Sequence, residues 1–403
     1  MKIKELENAA SNFGTPIYVY DLSIIESQNK KLQNAFKNLD NYKIHFAAKS
    51  LSNISILKFI NNLGIGLDAV SIEEVKIGIK CGFNKNEILY TPNGVSFSEI
   101  KEAKSLGVKI NLDSLESIKD FSEHYPNHSI SVRINPGIYA GGNEKISVGH
   151  SNSKFGIPEE FIEDLIKMDK VNKIKVTGLH IHTGSDITKN NQFEKGIKKI
   201  FTIATKFKNI ESIDLGGGIK IPYFLGDTET NLNDYARAVE HEHKKFKNNT
   251  GKDLKIIFEP GKFLVSDSGY FITKVNYIKK SKNNNFVQVN SGFNHFIRPT
   301  LYNSYHEVIN LSNPNDQKEE YTVVGYICEK DTLAEKRKIS KISKGDFLCF
   351  KNAGAYGYNM SSNYNSRLRP LELCIHKNSI KKIREKENLE DLLKNQIDIF
   401  KLP

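Results

Sequence analysis

The stretch 43-KIHFAAK-49 decides how the whole chain is interpreted, because it joins an apolar strand directly to a lysine. Its run of Ile, His, Phe and Ala is typical of a strand that is covered on both faces. Lys49 stands at the carboxyl end of that strand, where burying an unpaired charge is costly. The ammonium must therefore be paired, solvated or used in chemistry, and the rest of the chain has to show which.

Further strand-like stretches follow Lys49 at intervals of about 30 residues, the usual length of a strand-helix-strand unit. Amphipathic stretches such as 71-SIEEVKIGIK-80 and 161-FIEDLIKM-168 lie between them and predict helices. This alternation favours an α/β fold built as a (β/α)8 TIM-type barrel, with a doubly wound parallel sheet as the alternative. The seven stretches are GLDAV from Gly66, EILYT from Glu87, KINLD from Lys109, SISVRIN from Ser129, VTGLHIHTG from Val176, ESIDLGGG from Glu211 and LKIIFEPG from Leu254.

After Gly261 the pattern changes to short alternating runs, which predict a second, mostly C-terminal β domain of the sandwich or barrel type. A helix-like stretch near NHFIRPTLY, or loops, would join these strands, and TPIYVYD from Thr15 is an early strand that we expect in the same domain. We therefore predict an N-terminal segment 1–25 that contributes to the β domain, a barrel 26–264 and a β domain 265–403. The runs are YFITKVNYI from Tyr270, FVQVNSGF from Phe286, YTVVGYIC from Tyr321 and DFLCFKNAG from Asp346.

The composition excludes several classes of protein. With 38% hydrophobic residues in 403 positions the chain can bury sizeable cores, yet it contains neither a membrane-length apolar run nor a secretory signal. Its four cysteines lack the spacing of metal ligands and are too few for a disulfide framework, so we expect no metal and a cytoplasmic location. The net charge of +11 arises from lysines scattered among acids, which indicates a solvated basic surface and no nucleic-acid partner.

Unusual polar residues and glycines cluster at the predicted carboxyl ends of the barrel strands, where this fold places its chemistry. Each has an ordinary structural explanation by itself: a surface lysine, a hydrogen-bonded core histidine, a glycine turn. Their joint placement favours an active site. They are Lys49, Asp68, Arg133, His182, Ser185, Gly216, Gly217, Gly218 and Glu259.

This combination suggests pyridoxal 5'-phosphate as the cofactor. Lys49 would hold it as an imine, and Glu259 would keep its pyridine nitrogen protonated, which makes the ring an electron sink. The glycine triplet follows the seventh strand, where loops commonly bind phosphate, and we expect a helix N-terminus beside it to add positive charge. His182 would stack on the ring with Ser185 beside the phosphate, and the missing G-x-G-x-x-G spacing disfavours a dinucleotide.

These motifs resemble the diaminopimelate decarboxylases, a family of pyridoxal-phosphate enzymes with the alanine-racemase-like fold. The resemblance runs in order from about Thr15 to Pro370. It implies decarboxylation of meso-2,6-diaminopimelate to L-lysine and CO2 in lysine biosynthesis. It is carried by TPIYVYD, FAAK, GLDAVS, HIHTGSDI, DLGGGI, FEPGK, NHFIRPTLY, YICEKDTLA and NAGAYGYNMSSNYNSRLRP.

The resemblance also implies roles for single residues. Arg298 and Tyr302 would receive a substrate carboxylate, Cys328 would donate the proton to the product carbanion, and Glu329 would pair with the distal ammonium. Lys262 joins the substrate-binding set, and the family is expected to form homodimers with shared active sites. The cofactor-binding set implied is Lys49, Asp68, Arg133, His182, Ser185, Gly217, Gly218, Glu259, Gly261 and Tyr356, with Tyr356 also near substrate.

Two departures from the family pattern affect the substrate more than the reaction. The family commonly has arginine at the position of Lys262, and it often reads CESGD where this chain has CEKD. The alternatives are therefore a decarboxylase of ornithine, arginine or carboxynorspermidine, and a pyridoxal-phosphate-binding protein without catalysis. An amino-acid racemase fits less well, because such an enzyme would prefer a cation where Glu259 stands.

Overall fold

The chain divides into two compact units in a computed structural model: Glu26–Leu264, and Met1–Ile25 together with Val265–Pro403. The structure describes residues 3–138, 140–141, 149–150, 153–171, 173–188 and 190–400, without the side chains of 140, 141 and 190. None of the described helices combines the length and apolar character needed to cross a bilayer.

The first unit is a closed barrel of eight parallel strands, in the order β10-β11-β2-β3-β4-β5-β6-β8. All eight strands predicted from the sequence are confirmed, and closure excludes the open, doubly wound sheet. A short parallel pair, β7 (Ala140–Gly141) and β9 (Gly184–Ser185), lies outside the barrel. The barrel strands are β2 (Tyr42–Ala47), β3 (Gly66–Ala69), β4 (Ile88–Tyr90), β5 (Lys109–Leu112), β6 (Ser129–Ile134), β8 (Lys175–Ile181), β10 (Ser212–Asp214) and β11 (Lys255–Phe258).

Helices fill the intervals between these strands, and their starts follow from local sequence. Before α4, for example, Ser71 accepts a hydrogen bond from the Glu74 N–H, while Glu74 accepts one from the Val70 N–H. Such reciprocal capping satisfies amide groups that a helix start leaves without partners. The helices are α2 (Leu22–Ala35), α3 (Ile54–Asn62), α4 (Ile72–Lys80), α5 (Phe97–Leu106), α6 (Leu115–His124), α7 (Ile162–Lys170), α8 (Asn190–Ala204) and α9 (Leu232–Thr250).

The second unit contains one branched sheet of nine strands, most of them antiparallel. Its N-terminal strand β1 (Ile17–Asp21) lies inside the sheet, between β12 and β18. The early strand predicted from TPIYVYD therefore pairs with strands from the far end of the chain. The other strands are β12 (Gly269–Lys280), β13 (Asn285–Val289), β14 (Val308–Asn310), β15 (Lys318–Val324), β16 (Thr332–Ser340), β17 (Phe347–Phe350), β18 (Leu371–His376) and β19 (Ser379–Arg384).

Four further α-helices lie among the described residues, and one of them, α1, packs on this sheet through an apolar face. Leu6, Ala9 and Ala10 of α1 are buried in one cluster with Ile17 and Val19 of β1. The helix-like stretch NHFIRPTLY contains α11, as predicted. These helices are α1 (Ile3–Phe13), α10 (Lys262–Val265), α11 (Arg298–Tyr302) and α12 (Leu389–Leu393).

Candidate active site

Strand register places three polar residues side by side near the carboxyl end of the barrel. Arg133 on β6 is aligned with His180 on β8, and His180 is aligned with Asp214 on β10. The Glu259 N–H donates to Gly216 O over 2.8 Å, which ties the end of β11 to the glycine triplet. The carboxyl-end cluster predicted from the strands is therefore present, with Asp214 and His180 as additional members.

Lys49 lies on a single 3-10 turn, Ala48–Ser50, that continues from β2. Its Nζ is 3.5 Å from Oδ2 of Asp68 on β3, and its side chain is 43% exposed. Asp68 is buried. Burial, followed by the nearby Glu259, raises the pKa of Asp68 to about 7, and Lys49 offsets only part of this rise.

Replacing Asp68 with Asn is expected to stabilise the cofactor-free protein at pH 8. Because the pKa of about 7 in the folded chain exceeds the ordinary 3.8, the wild type loses stability as pH rises from about 4 through 7. Thermal unfolding at pH 5 and pH 8 measures this: the melting temperature of the wild type should fall by several degrees more than that of Asp68→Asn. Equal falls in the melting temperatures of the two proteins would contradict a raised pKa for Asp68.

The glycine triplet lies against the ends of β8 and β11. Gly216 and Gly218 have positive φ angles of 65° and 102°, and a Cβ on either would come within 2.7 Å of a backbone oxygen. Only glycine avoids both the strain and the clash. The Gly217 N–H donates to His182 Nδ1 over 3.2 Å, whereas the Gly218 N–H has no acceptor among the described residues.

The expected helix N-terminus beside the triplet is wrong. No helix begins among the described residues between the triplet and Leu232, because Ile219 instead forms a parallel bridge with Ile187. Any phosphate held here would therefore depend on backbone N–H groups and side chains.

His182 follows β8 and has a half-buried side chain. Burial, followed by Arg133 and Lys49, lowers its pKa well below the ordinary value, so the imidazole is neutral. With Nδ1 held by Gly217, the ring has a fixed orientation that suits stacking.

Glu259 is buried, with 7% of its surface exposed. Its Oε2 lies 3.3 Å from His180 Nε2, and its Oε1 has no hydrogen-bond partner among the described residues. Burial opposes ionisation, but His180, Lys49 and His182 hold the pKa of Glu259 below its ordinary value. Burial, followed by Glu259, raises the pKa of the neighbouring Asp214 well above its ordinary value. Glu259 is therefore the charged member of this carboxyl pair.

The remaining barrel residues predicted for the site differ in their bonding. Arg133 is buried with its guanidinium 4.6 Å from the Phe155 ring centroid, and no described residue accepts a hydrogen bond from that group. Ser185 is half-buried on β9, and Gly261 lies where a Cβ would approach Ser50 to 3.2 Å.

Lys262 makes a 2.5 Å ion pair with Asp186, so its charge is already neutralised within the barrel unit.

In the β unit, Arg298 is buried at the start of α11 and held by neighbouring side chains. Its Nε donates to His306 Nε2 over 3.4 Å, while His306 Nδ1 lies 2.9 Å from Lys351 O. Burial and Arg298 lower the pKa of His306 to about 3, so it accepts from Arg298 as a neutral ring. The Tyr302 and Tyr356 rings lie 6.0 and 5.9 Å from the guanidinium carbon. Arg298, Tyr302 and Tyr356 are thus brought together, as predicted.

Cys328 and Glu329 form a second, exposed group in the β unit. Cys328 Sγ lies 3.2 Å from Glu329 Oε2 and 3.6 Å from Asn365 Nδ2. The Tyr364 hydroxyl donates to Glu329 Oε1 and, with Cys328, lowers the pKa of that carboxyl. All four cysteines are free thiols.

The barrel residues fit pyridoxal phosphate. A buried, ionised carboxylate with one unpaired oxygen, Glu259 Oε1, suits a protonated ring nitrogen. The unpaired Gly218 N–H suits a phosphate oxygen, and the half-exposed Lys49 suits a covalent link.

Several members of the site were not singled out from the sequence. The one available signal is the motif HIHTG, since residues two apart on a strand face the same side, so His180 should accompany His182. No local signal marks Asn111, Asp186 or Tyr364, because their partners His180, Lys262 and Glu329 are distant in the chain. Asp214 and His306 were also not singled out, although Asp214 is the first residue of the strand-end glycine motif DLGGGI.

Comparisons with known proteins agree with this geometry. Residues 22–266 match the pyridoxal-binding domain of the pyridoxal-dependent decarboxylases. Over 398 residues the chain is 34% identical to the diaminopimelate decarboxylase of Methanothermobacter thermautotrophicus, covering 96% of this chain and 92% of that protein. It is also 34% identical to that of Campylobacter jejuni, covering 97% of each.

A solved structure gives the same result. The diaminopimelate decarboxylase of Helicobacter pylori complexed with L-lysine superposes with a TM-score of 0.89 at 32% identity, covering 96% of this chain and 98% of that one. Family model, full-length relatives and fold therefore agree, and the chain belongs to the diaminopimelate decarboxylase family of pyridoxal-dependent decarboxylases.

Proposed function

We propose that this chain decarboxylates meso-2,6-diaminopimelate to L-lysine and CO2 with pyridoxal 5'-phosphate, as a step of lysine biosynthesis. The observation that carries the proposal is Glu259, a buried carboxylate held ionised with Oε1 unpaired, in the same barrel end as Lys49. A carboxylate at the ring nitrogen favours carbanion chemistry such as decarboxylation over racemisation.

When bound, the cofactor supplies an electron sink for the carbanion left by departing CO2. Lys49 would hold the cofactor covalently. Glu259 would keep a proton on the ring nitrogen, while His182, oriented by Gly217, would cover one ring face. Gly218, Ser185 and Gly261 would line the phosphate end, Asp68 would position the Lys49 ammonium, and Arg133 would supply N–H donors.

The β unit would recognise the substrate. Arg298, fixed by neutral His306, offers a guanidinium fork to the distal carboxylate, with Tyr302 and Tyr356 beside it. Glu329 would pair with the distal ammonium and Cys328 would protonate the carbanion. Lys262 contributes less than its charge suggests, because Asp186 already neutralises it.

One assay distinguishes this function from its alternatives. Purified protein loaded with cofactor is incubated separately with meso-diaminopimelate, ornithine, arginine and carboxynorspermidine, and CO2 and amine product are measured. We expect L-lysine and CO2 from meso-diaminopimelate alone. Turnover of a second substrate at a higher kcat/KM would overturn the substrate assignment, and cofactor absorbance without any turnover would indicate a binding protein.

Replacing Arg298 with Ala should raise KM for meso-diaminopimelate roughly 30-fold or more, since losing a charge-assisted contact costs about 2 kcal/mol. Binding of the diamine cadaverine, which has neither carboxylate of the substrate, should change little. Arg298→Lys is the matched control: it keeps the charge without the fork and should give an intermediate KM. Equal losses for both ligands would show that Arg298 supports the fold or the cofactor instead.

We further propose a homodimer in which Cys328 and Glu329 of one subunit complete the site of the other. Both residues are exposed in the single chain, which supports this arrangement. In a two-fold dimer each partner would donate the same loop. We also propose a cytoplasmic location, with no nucleic-acid or membrane partner and no metal. Residues 26–264 would form the cofactor-binding domain.

Mixing inactive subunits gives a countable result. If Lys49→Ala and Cys328→Ala proteins exchange subunits equally, half the dimers are mixed and each has one intact site. Activity should recover to about a quarter of wild type. Lys49→Ala mixed with Glu259→Gln is the control and should not recover, because both residues come from the same barrel. Recovery in neither mixture, despite proven exchange, would place Cys328 in its own chain's site or outside catalysis.

A further inference from the structure

A chain of buried polar side chains runs through the barrel behind Glu259. Asn111 on β5 has no exposed surface, and its Nδ2 lies 3.1 Å from Thr91 Oγ1 and 2.8 Å from His180 Nδ1. His180 is 2% exposed, and its Nε2 lies 3.3 Å from Glu259 Oε2. This contact is within ion-pair range but is not aligned as a regular hydrogen bond, and Nε2 has no hydrogen-bond partner among the described residues. Burying polar groups of this kind costs free energy of folding unless they hydrogen-bond to one another.

The chain has one consistent assignment of protons. Burial, with Glu259 only partly opposing it, lowers the pKa of His180, so the ring is neutral and carries one N–H. The carboxylate of Glu259 can only accept, so this proton must be on Nε2. Nδ1 is then an acceptor, and Asn111 must turn its amide NH2 toward it. The carboxylate at one end thus decides the amide orientation at the other.

This assignment leaves Glu259 with two different oxygens. Oε2 faces the His180 N–H, whereas Oε1 has no hydrogen-bond partner among the described residues. A carboxylate held by one oxygen cannot rotate freely, and its ionised form is stabilised by the donor. Metal-binding histidines are oriented in a similar way, because the ring N–H that does not face the metal donates to a second residue.

We propose that Asn111 and His180 are positioning residues that turn Glu259 so that Oε1 serves the ring nitrogen of the cofactor. The inference rests on the proposed function and deepens it. Without the His180 donor, the Glu259 carboxylate loses stabilisation in a buried site, and the proton shared with the ring nitrogen moves toward Glu259. The ring would then be a weaker electron sink.

The charged and titratable groups that act on Glu259 come from several strands of the barrel. The pH dependence of the nitrogen shift therefore reports the titration of the whole cluster. His180 and Asp214 reach Glu259 through side-chain contacts, and of these two only His180 is also bonded to Asn111. The groups that act on Glu259 by charge alone are His45, Lys49, Asp68, Arg133 and His182.

The test measures the proton on the cofactor itself. Wild-type protein is loaded with pyridoxal phosphate carrying ¹⁵N in the ring, and the nitrogen chemical shift is recorded from pH 6 to 9. We expect a protonated nitrogen in the wild type and a shift toward the unprotonated value in His180→Leu. In the same variant kcat should fall about 10-fold or more while KM changes less, the scale of losing such a supporting contact.

Three further variants show whether a change in the nitrogen shift comes from the lost N–H donor or from misfolding. His180→Gln restores an N–H donor and should recover most of the wild-type nitrogen shift. Asn111→Asp places an acceptor at Nδ1, which favours a doubly protonated His180 that still donates, so the ring should stay protonated. His45→Asn removes another buried histidine of the barrel strands. Burial lowers the pKa of His45 to about 4, so the ring is neutral from pH 6 to 9 and its loss should leave the nitrogen shift unchanged.

The outcomes separate this inference from the function on which it rests. An unchanged nitrogen shift in folded, cofactor-loaded His180→Leu would overturn the inference alone, as would a His180→Gln protein no different from His180→Leu. Wild-type protein that binds no cofactor, or binds it with an unprotonated ring, would overturn the proposed role of Glu259 as well.

Discussion

Lys49→Ala protein is expected to lose turnover by about 1,000-fold or more, the scale of removing a positioned group that also exchanges protons. The geometry gives the reason: Lys49 is the lysine that follows β2, its Nζ lies 3.5 Å from Asp68 Oδ2, and its side chain is 43% exposed. Steady-state assays measure the loss. Borohydride treatment of the loaded wild type, followed by peptide mapping, should place the pyridoxyl group on Lys49.

The control for this prediction is Lys43, on the strand β2 that precedes Lys49. Lys43 pairs with Glu87 over 2.8 Å and takes no part in the proposed site, so Lys43→Ala should keep near-wild-type turnover and the Lys49 adduct. An adduct on another lysine, or full turnover by Lys49→Ala, would overturn the assignment of Lys49 as the residue that holds the cofactor.

Glu259→Gln should bind the cofactor but lose about 100-fold or more in kcat, similar to removing one preorganised partner of a developing charge. Glutamine keeps the shape and removes the negative charge that holds a proton on the ring nitrogen. Cofactor content is measured by absorbance and kcat by CO2 release. An unchanged kcat with full cofactor content would show that the ring proton needs no carboxylate.

Asp214→Asn is the matched control for Glu259→Gln. The raised pKa of Asp214 indicates a neutral carboxyl, so an amide of the same shape should change kcat less than about threefold. Its Oδ1 accepts from the Gly216 N–H over 2.8 Å, a bond that asparagine can keep. If both variants lost activity equally, the charge would be shared by the pair.

The barrel could be predicted from the sequence because its strands are buried on both sides and recur at a regular interval. Strands such as β14 (Val308–Asn310) and β19 (Ser379–Arg384) were missed, since short or exposed strands have no strong periodic pattern. The site residues at strand ends were predictable from topology alone. The Lys262–Asp186 pair and the Asn111–His180 contact were not, because they join side chains that are 76 and 69 residues apart in the chain, respectively.

The position of β1 has a consequence for synthesis on the ribosome. Tyr20 donates to Glu372 Oε1 in the core of the sheet, across a separation of 352 residues. At common elongation rates that interval takes roughly 20–70 s, during which the apolar strand β1 waits without its neighbour β18. The barrel sequence emerges entirely within this delay. Nascent chains would therefore carry β1 without a sheet partner until β12 emerges, and with one open edge until β18 follows, which makes this segment a natural target for chaperones.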